Sequence, residues 1–169
     1  MDRPPPRMRA AWITELGAAE AIRVGELPVP APDPGPADVL VRVQLAAVDP
    51  VDLLVRSGAY PTPTPFPFVV GRDLVGTVAV SGPGAAGFAP GDRVWCNSLG
   101  HGGRQGACAE YAVVAAERLY HLPAGADPVA AVALVHPAPP PGWPCSATAA
   151  CGRHRRSRSA AGPATSAPP

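Results

Sequence analysis

No lysine occurs among the 169 residues, and all fourteen basic residues are arginine. With abundant Ala, Gly and Pro, this reads as the mark of a GC-rich coding sequence rather than of a selected surface. No apolar run approaches the roughly 20 residues that span a bilayer. The early charges of MDRPPPRMRAAWI are not followed by the long apolar stretch of a secretion signal. The four cysteines, Cys96, Cys108, Cys145 and Cys151, show no tight paired spacing, which argues against a disulfide scaffold. The expectation is a cytoplasmic protein without a membrane partner. The sharpest absence is local. Beyond Val135 there is no Leu, Ile, Val, Phe, Met or Tyr, and Trp143 is the one large apolar residue left. Such a stretch cannot bury enough surface to offset roughly 1–2 kcal/mol of backbone entropy per residue. Residues 137–169 are therefore expected to form a disordered tail rich in Pro, Ala and Arg.

Charge divides at the same place. Residues 1–136 carry ten arginines against thirteen acids, while residues 137–169 carry four arginines and no acid. A near-neutral main body gives no reason to expect nucleic acid as a partner. The basic run GRHRRSRS at 152–159 has no interleaved aromatics for base stacking, so no nucleic-acid binding is expected there either.

What remains reads as one β-rich domain over residues 8–136, preceded by a flexible segment, 1–7. VLVRVQL (39–45), LVGTVAV (74–80), DRVWC (92–96) and EYAVVA (110–115) alternate as half-buried strands do. Turn-forming clusters at 30–36, 82–87 and 90–92 separate them. Asp49–Pro50 predicts a short helix over 50–57, with an N-cap followed by proline at the first helical position. Asp127–Pro128 predicts a second, running VAAVALV. Many short strands with two minor helices indicate a mainly β, barrel-like or sandwich-like fold.

Four groups of residues invite a functional reading. GPGAAG (Gly82, Gly84, Gly87) matches a dinucleotide-binding pattern, but Pro90-Gly91-Asp92 and a strand follow where a helix is needed to hold the pyrophosphate. It is read as a loop. Cys96, His101 and Cys108 lack the spacing of a chelating set and are read as ordinary groups. In VDPVDLLVRSGAY, Asp49 is either an N-cap or a pocket residue, Asp52 follows it on the helix, and Tyr60 either packs on the corner or reaches a ligand. In GRDLVG, Arg72 and Asp73 suggest an ion pair, structural or shaping a cleft floor, with Gly71 and Gly76 serving backbone geometry.

The order RAAWI, VLVRVQLAAVDPVDLLVRSGAYP, PFVVGRDLVGTVAVSGPGAAGFAPGDRVW, GACAEYAVV resembles the N-terminal, GroES-like domain of the medium-chain dehydrogenase/reductase superfamily. Within it, the chain is most similar to the zinc-free quinone oxidoreductase, or zeta-crystallin-like, branch. The resemblance implies a GroES-like, partly open β-barrel and a reductase that passes hydride from NADPH to a quinone or enone. It places Asp49, Asp52, Tyr60, Arg72 and Asp73 along the substrate side of a cleft. The cofactor belongs to a following Rossmann domain, so weak or no NADPH binding is expected of this chain, and no activity. Zinc-containing members have Cys and His where this chain has Asp49 and Arg72. A guanidinium cannot coordinate a cation, so no zinc is expected. The branch has Asn where Asp49 stands; an ionised Asp cannot donate a hydrogen bond to a carbonyl. Three other readings stay open: a non-catalytic GroES-like binding module, a fragment of a zinc-type alcohol dehydrogenase, and a product without function.

The resemblance stops after ALVHPA. Members of the branch continue with a helix of the form TTAWLALFRHGRLR; here the text is PPPGWPCSATAACGR. When the third base of each codon is joined to the first two of the next, Trp143–Pro144 encodes alanine. Free third bases elsewhere allow the same helix up to Arg153. Residues from about Pro139 onward are therefore expected to derive from a shifted reading frame.

Overall fold

The structure, a computed structural model, describes residues 3–30, 37–97 and 99–136. The expectations for the tail, its arginine run, its reading frame and Cys145 and Cys151 lie outside the described residues. The order of elements is β1 (Arg7–Ile13), β2 (Arg23–Pro28), β3 (Asp38–Ala47), α1 (Pro50–Ser57), β4 (Phe68–Val69), β5 (Asp73–Ser81), β6 (Arg93–Cys96), β7 (Tyr111–Ala115), β8 (Tyr120–His121) and α2 (Pro128–Leu134). Two short 3₁₀ turns, Ala19–Ala21 and Ala116–Arg118, complete it. The four strands and two helices expected from alternation and capping are present, with ends displaced by one or two residues. The domain starts slightly earlier than expected. Arg7 lies in β1, and the Val29 amide donates to the Pro6 carbonyl at 3.1 Å.

The strands form a three-stranded sheet, β2-β1-β4, and a five-stranded sheet, β7-β3-β5-β6-β8, with every pairing antiparallel. The segment before β7 joins them. Ala11 N donates to Cys108 O at 2.8 Å and Glu110 N to Arg9 O at 3.0 Å. On the other side of the same segment, Gly106 N donates to Val69 O at 2.8 Å and Cys108 N to Val70 O at 2.9 Å. Hydrogen bonding thus runs from one sheet to the other, as in a partly open barrel.

Strand β5 sits at the centre because its first half is apolar on both faces. Leu74 and Val78 face a core with Val39, Val41, Val94 and Val114, whereas Val75 faces outward onto Leu122 and Val132 of α2. Burying each such side chain is worth about 1.5–3 kcal/mol. Helix α2 is also held by two side chains of the β6 region. Arg93 Nη2 donates to Ala126 O and Asn97 Nδ2 to Val135 O, each at 2.8 Å. These clamps fix the residue that follows, His136. The glycine pattern GPGAAG enters no helix; Gly82 N closes on Asp38 O at 2.8 Å and the chain turns into β6.

Candidate functional site

Asp49 occupies the corner between β3 and α1. Its extended backbone (φ −107°, ψ 155°) and the proline after it start the helix, and its amide donates to Asp52 Oδ2 at 2.8 Å. The N-cap reading of Asp49 thus holds, with Asp52 as its reciprocal partner. Asp52 has its pKa raised, first by burial, with the amide of Asp49 opposing this.

Asp73, the first residue of β5, is fully buried. Its partner is not Arg72. His136 Nδ1 lies 3.2 Å from Asp73 Oδ1 and 4.0 Å from Asp49 Oδ2. The expected Arg72–Asp73 ion pair is therefore corrected. Successive residues of an extended chain point to opposite faces, so neighbours at a strand entry diverge. The chelating atoms of Asp49, Asp73 and His136 all lie within 4.8 Å of one another, close enough to share a proton or a cation. Oδ2 of Asp49 and Oδ2 of Asp73 are both buried without a hydrogen-bond partner. Burial pushes the Asp73 carboxyl up to about 7, against the opposing pull of His136.

Arg72 turns the other way, and its Nε and Nη2 are buried without a partner. Its backbone carbonyl receives Leu99 N at 3.1 Å. Since no pair is broken and two unsatisfied donors are removed, Arg72→Met is expected to leave the melting temperature unchanged or raise it. A loss of several degrees in a thermal melt would show that the guanidinium has a partner.

Tyr60 lies on a second wall, half exposed, with its ring edge-on to His101 at 5.6 Å. His101 Nδ1 meets Thr62 Oγ1 at 3.1 Å. Burial and the nearby Arg72 hold the His101 pKa down. Gly71 and Gly76 serve geometry as expected. Gly71 has φ +91°, with Cys108 Sγ where a Cβ would point, and Gly76 lies against the Arg42 carbonyl. Cys96 is buried and Cys108 half-buried. Burial raises the Cys108 thiol, which disfavours its reactive thiolate. Of the five residues singled out from sequence, the fold gathers Asp49, Asp52 and Asp73, sends Arg72 away, and leaves Tyr60 beside His101. His136 was missed. It has no periodic or motif signal, and only the clamped end of α2 brings it in.

An apolar cavity of about 470 Å³, lined by Met8, Leu27, Val69, Tyr111 and Val113 among others, includes none of these residues. The elements that carry the cluster also leave apolar side chains exposed: Val48 next to Asp49, Leu53 and Leu54 on α1, and Val129 and Leu134 on α2.

Residues 35–124 match the family described as the alcohol dehydrogenase GroES-like domain. The quinone oxidoreductase of Lama guanicoe is 36% identical over 120 residues, which cover 71% of this chain and 35% of that protein. Among solved structures, a quinone oxidoreductase of Pseudomonas syringae pv. Tomato superposes with TM-score 0.68 at 28% identity, covering 75% of this chain and 37% of that one. A mycobacterial protein solved as a complex with NADPH superposes with TM-score 0.64 at 33% identity, covering 74% and 35%. The chain thus spans about a third of the length of these relatives. With the match extending over more than half its residues, the chain belongs to the alcohol dehydrogenase GroES-like domain family of the medium-chain dehydrogenase/reductase superfamily.

Proposed function

We propose that this chain is the substrate-side part of an NAD(P)H-dependent, zinc-independent quinone or enone oxidoreductase. The observation that carries the reading is the polar cluster of Asp49, Asp73 and His136, on elements that leave Val48, Leu53, Leu54, Val129 and Leu134 exposed. Buried polar groups together with exposed apolar side chains suit a cleft closed by another domain. The dinucleotide itself does not fit the described residues. The one glycine-rich turn of the right spacing leads into β6, so no helix N-terminus faces a pyrophosphate there. What this chain contributes is the shape and polarity of one side of the substrate pocket.

Two measurements on the purified, tag-free chain test the reading. Calorimetric titration with NADPH is expected to show no binding in the micromolar range, and micromolar binding would reveal a nucleotide site in the chain itself. Elemental analysis is expected to find no stoichiometric zinc, because Arg72 stands where zinc-containing members have a ligand and its guanidinium cannot coordinate a cation. One zinc per chain would move the reading to a zinc-type alcohol dehydrogenase.

A further inference from the structure

The cluster holds one imidazole between two carboxylates, and the proton count around it decides what the ring offers to the cleft. His136 Nδ1 faces Asp73 Oδ1 at 3.2 Å, and Asp73 has no exposed surface. The side chain of His136 is 31% exposed. With Nδ1 turned to a buried carboxyl, the exposed edge is the opposite one, which carries Nε2. No described group bonds to Nε2. The ring is anchored from behind and free in front.

Two arrangements are available to a dyad that holds one proton beyond those of a neutral imidazole and a carboxylate. Either the ring is an imidazolium beside an ionised Asp73, or Asp73 is a neutral acid donating to Nδ1. In both, Nε2 carries hydrogen. When that extra proton is lost, the remaining ring hydrogen stays on Nδ1, bonded to the carboxylate, and Nε2 becomes an acceptor. The donor property of Nε2 therefore does not depend on where the shared proton sits, only on whether it is present.

Resting on the reading of a carbonyl-reducing cleft, we propose that the Asp73–His136 dyad presents His136 Nε2–H as a hydrogen-bond donor to the carbonyl or enolate-type oxygen of the substrate. This restores at Nε2 the donor that an ionised Asp49 cannot supply. Asp49, 4.0 Å from Nδ1, adds a second negative charge that favours retention of the proton. Of the other charged or titratable groups, Asp52 on α1 interacts with Asp49 and His136, while Arg72 and Cys108 act on Asp52 rather than on the dyad itself. The raised pKa of Asp73, about 7, places loss of the donor in the neutral range.

The test uses the full chain and 2,4-dinitrophenolate, an oxyanion that stays ionised across that range. Nitrogen-resolved NMR of the His136 ring reports its tautomer, and shifts of the same signals report binding. Wild type is expected to bind at about pH 6 and to weaken roughly tenfold per pH unit once the dyad's proton is lost. Asp73→Asn keeps the ring, and its amide N–H donates to Nδ1 as the neutral acid does, which holds hydrogen on Nε2 at every pH. Binding should then match wild type at about pH 6 and persist above pH 7, where wild type weakens. His136→Ala should lose binding. Binding in Asp73→Asn that weakens with pH as in wild type, or no perturbation of the His136 ring by the probe, would each overturn the proposal. Neither outcome bears on whether the chain is half of a reductase.

Discussion

Gly106→Ala is expected to remove a large part of the domain's stability, most of it if the domain lies at the low end of the usual range. Gly106 lies where the segment before β7 crosses the chain entering and leaving β4. A Cβ built there collides with the carbonyl oxygens of both Val69 and Val70 and stands 2.5 Å from the Val70 carbonyl carbon. These are backbone atoms tied down on both sides, with Gly106 N on Val69 O at 2.8 Å and Cys108 N on Val70 O at 2.9 Å. No flexible side chain can yield. Relief requires breaking the hydrogen bonds that join the two sheets, at a cost on the order of 4 kcal/mol or more. A domain of this size has roughly 5–15 kcal/mol in total. Gly125→Ala is the matched control. Nothing lies within 4 Å of its Cβ and only its φ of +78° is unfavourable, so about 1–2 kcal/mol should be lost. Circular dichroism melts of the two variants separate the cases, and a Gly106→Ala protein that melts like the control would mean the strand crossing is looser than described.

Asp73→Asn should remove most of the fall in stability as pH rises toward neutral. The carboxyl is buried, and burial raises its pKa from 3.8 to about 7. Between those values the folded chain keeps a proton that the unfolded chain has released, so stability falls as pH rises through the window. Each pH unit is worth about 1.4 kcal/mol for one such group, which puts the full fall at a few kcal/mol. The asparagine has no proton to lose. Its denaturation midpoint should be nearly flat from about pH 4 to pH 7, apart from a smaller slope from Asp52, also raised by burial. Above the window the variant should be the more stable protein. Urea titrations of both proteins across that range decide it. Wild-type stability that rises with pH would mean that Asp73 is held as an anion by His136 after all.

Most of the barrel could be read from the chain because its long strands carry their own evidence. β3 and β5 alternate over many residues, and both helices are announced by Asp-Pro. β2 and β4 were not assigned. RVGELP contains Gly and Pro and is largely exposed at a sheet edge, and Phe68–Val69 is too short to show a period. β8, with two residues, fails for the same reason. The site was legible only in part. Asp49 and Asp52 share a helical turn and Asp73 immediately precedes a predicted strand, so local rules place all three. Their partner His136 is 63 residues from Asp73. Only packing of Val132 on Val75, with Asn97 gripping the end of α2, brings it there. The mistaken pairing of Arg72 with Asp73 had a corrective in the sequence itself, since strand alternation separates adjacent side chains.

The central claim is that residues up to His136 form a substrate wall that works against a nucleotide-binding domain. It is tested most directly by joining residues 1–136 to the part of the NADPH-complexed mycobacterial relative that this chain does not cover, and following NADPH oxidation with a quinone. Quinone-dependent turnover in the fusion, at least tenfold above the chain alone and reduced by His136→Ala, is the predicted result. A folded fusion that binds NADPH yet turns over no quinone or enone would contradict it, and would leave the domain as a binding module.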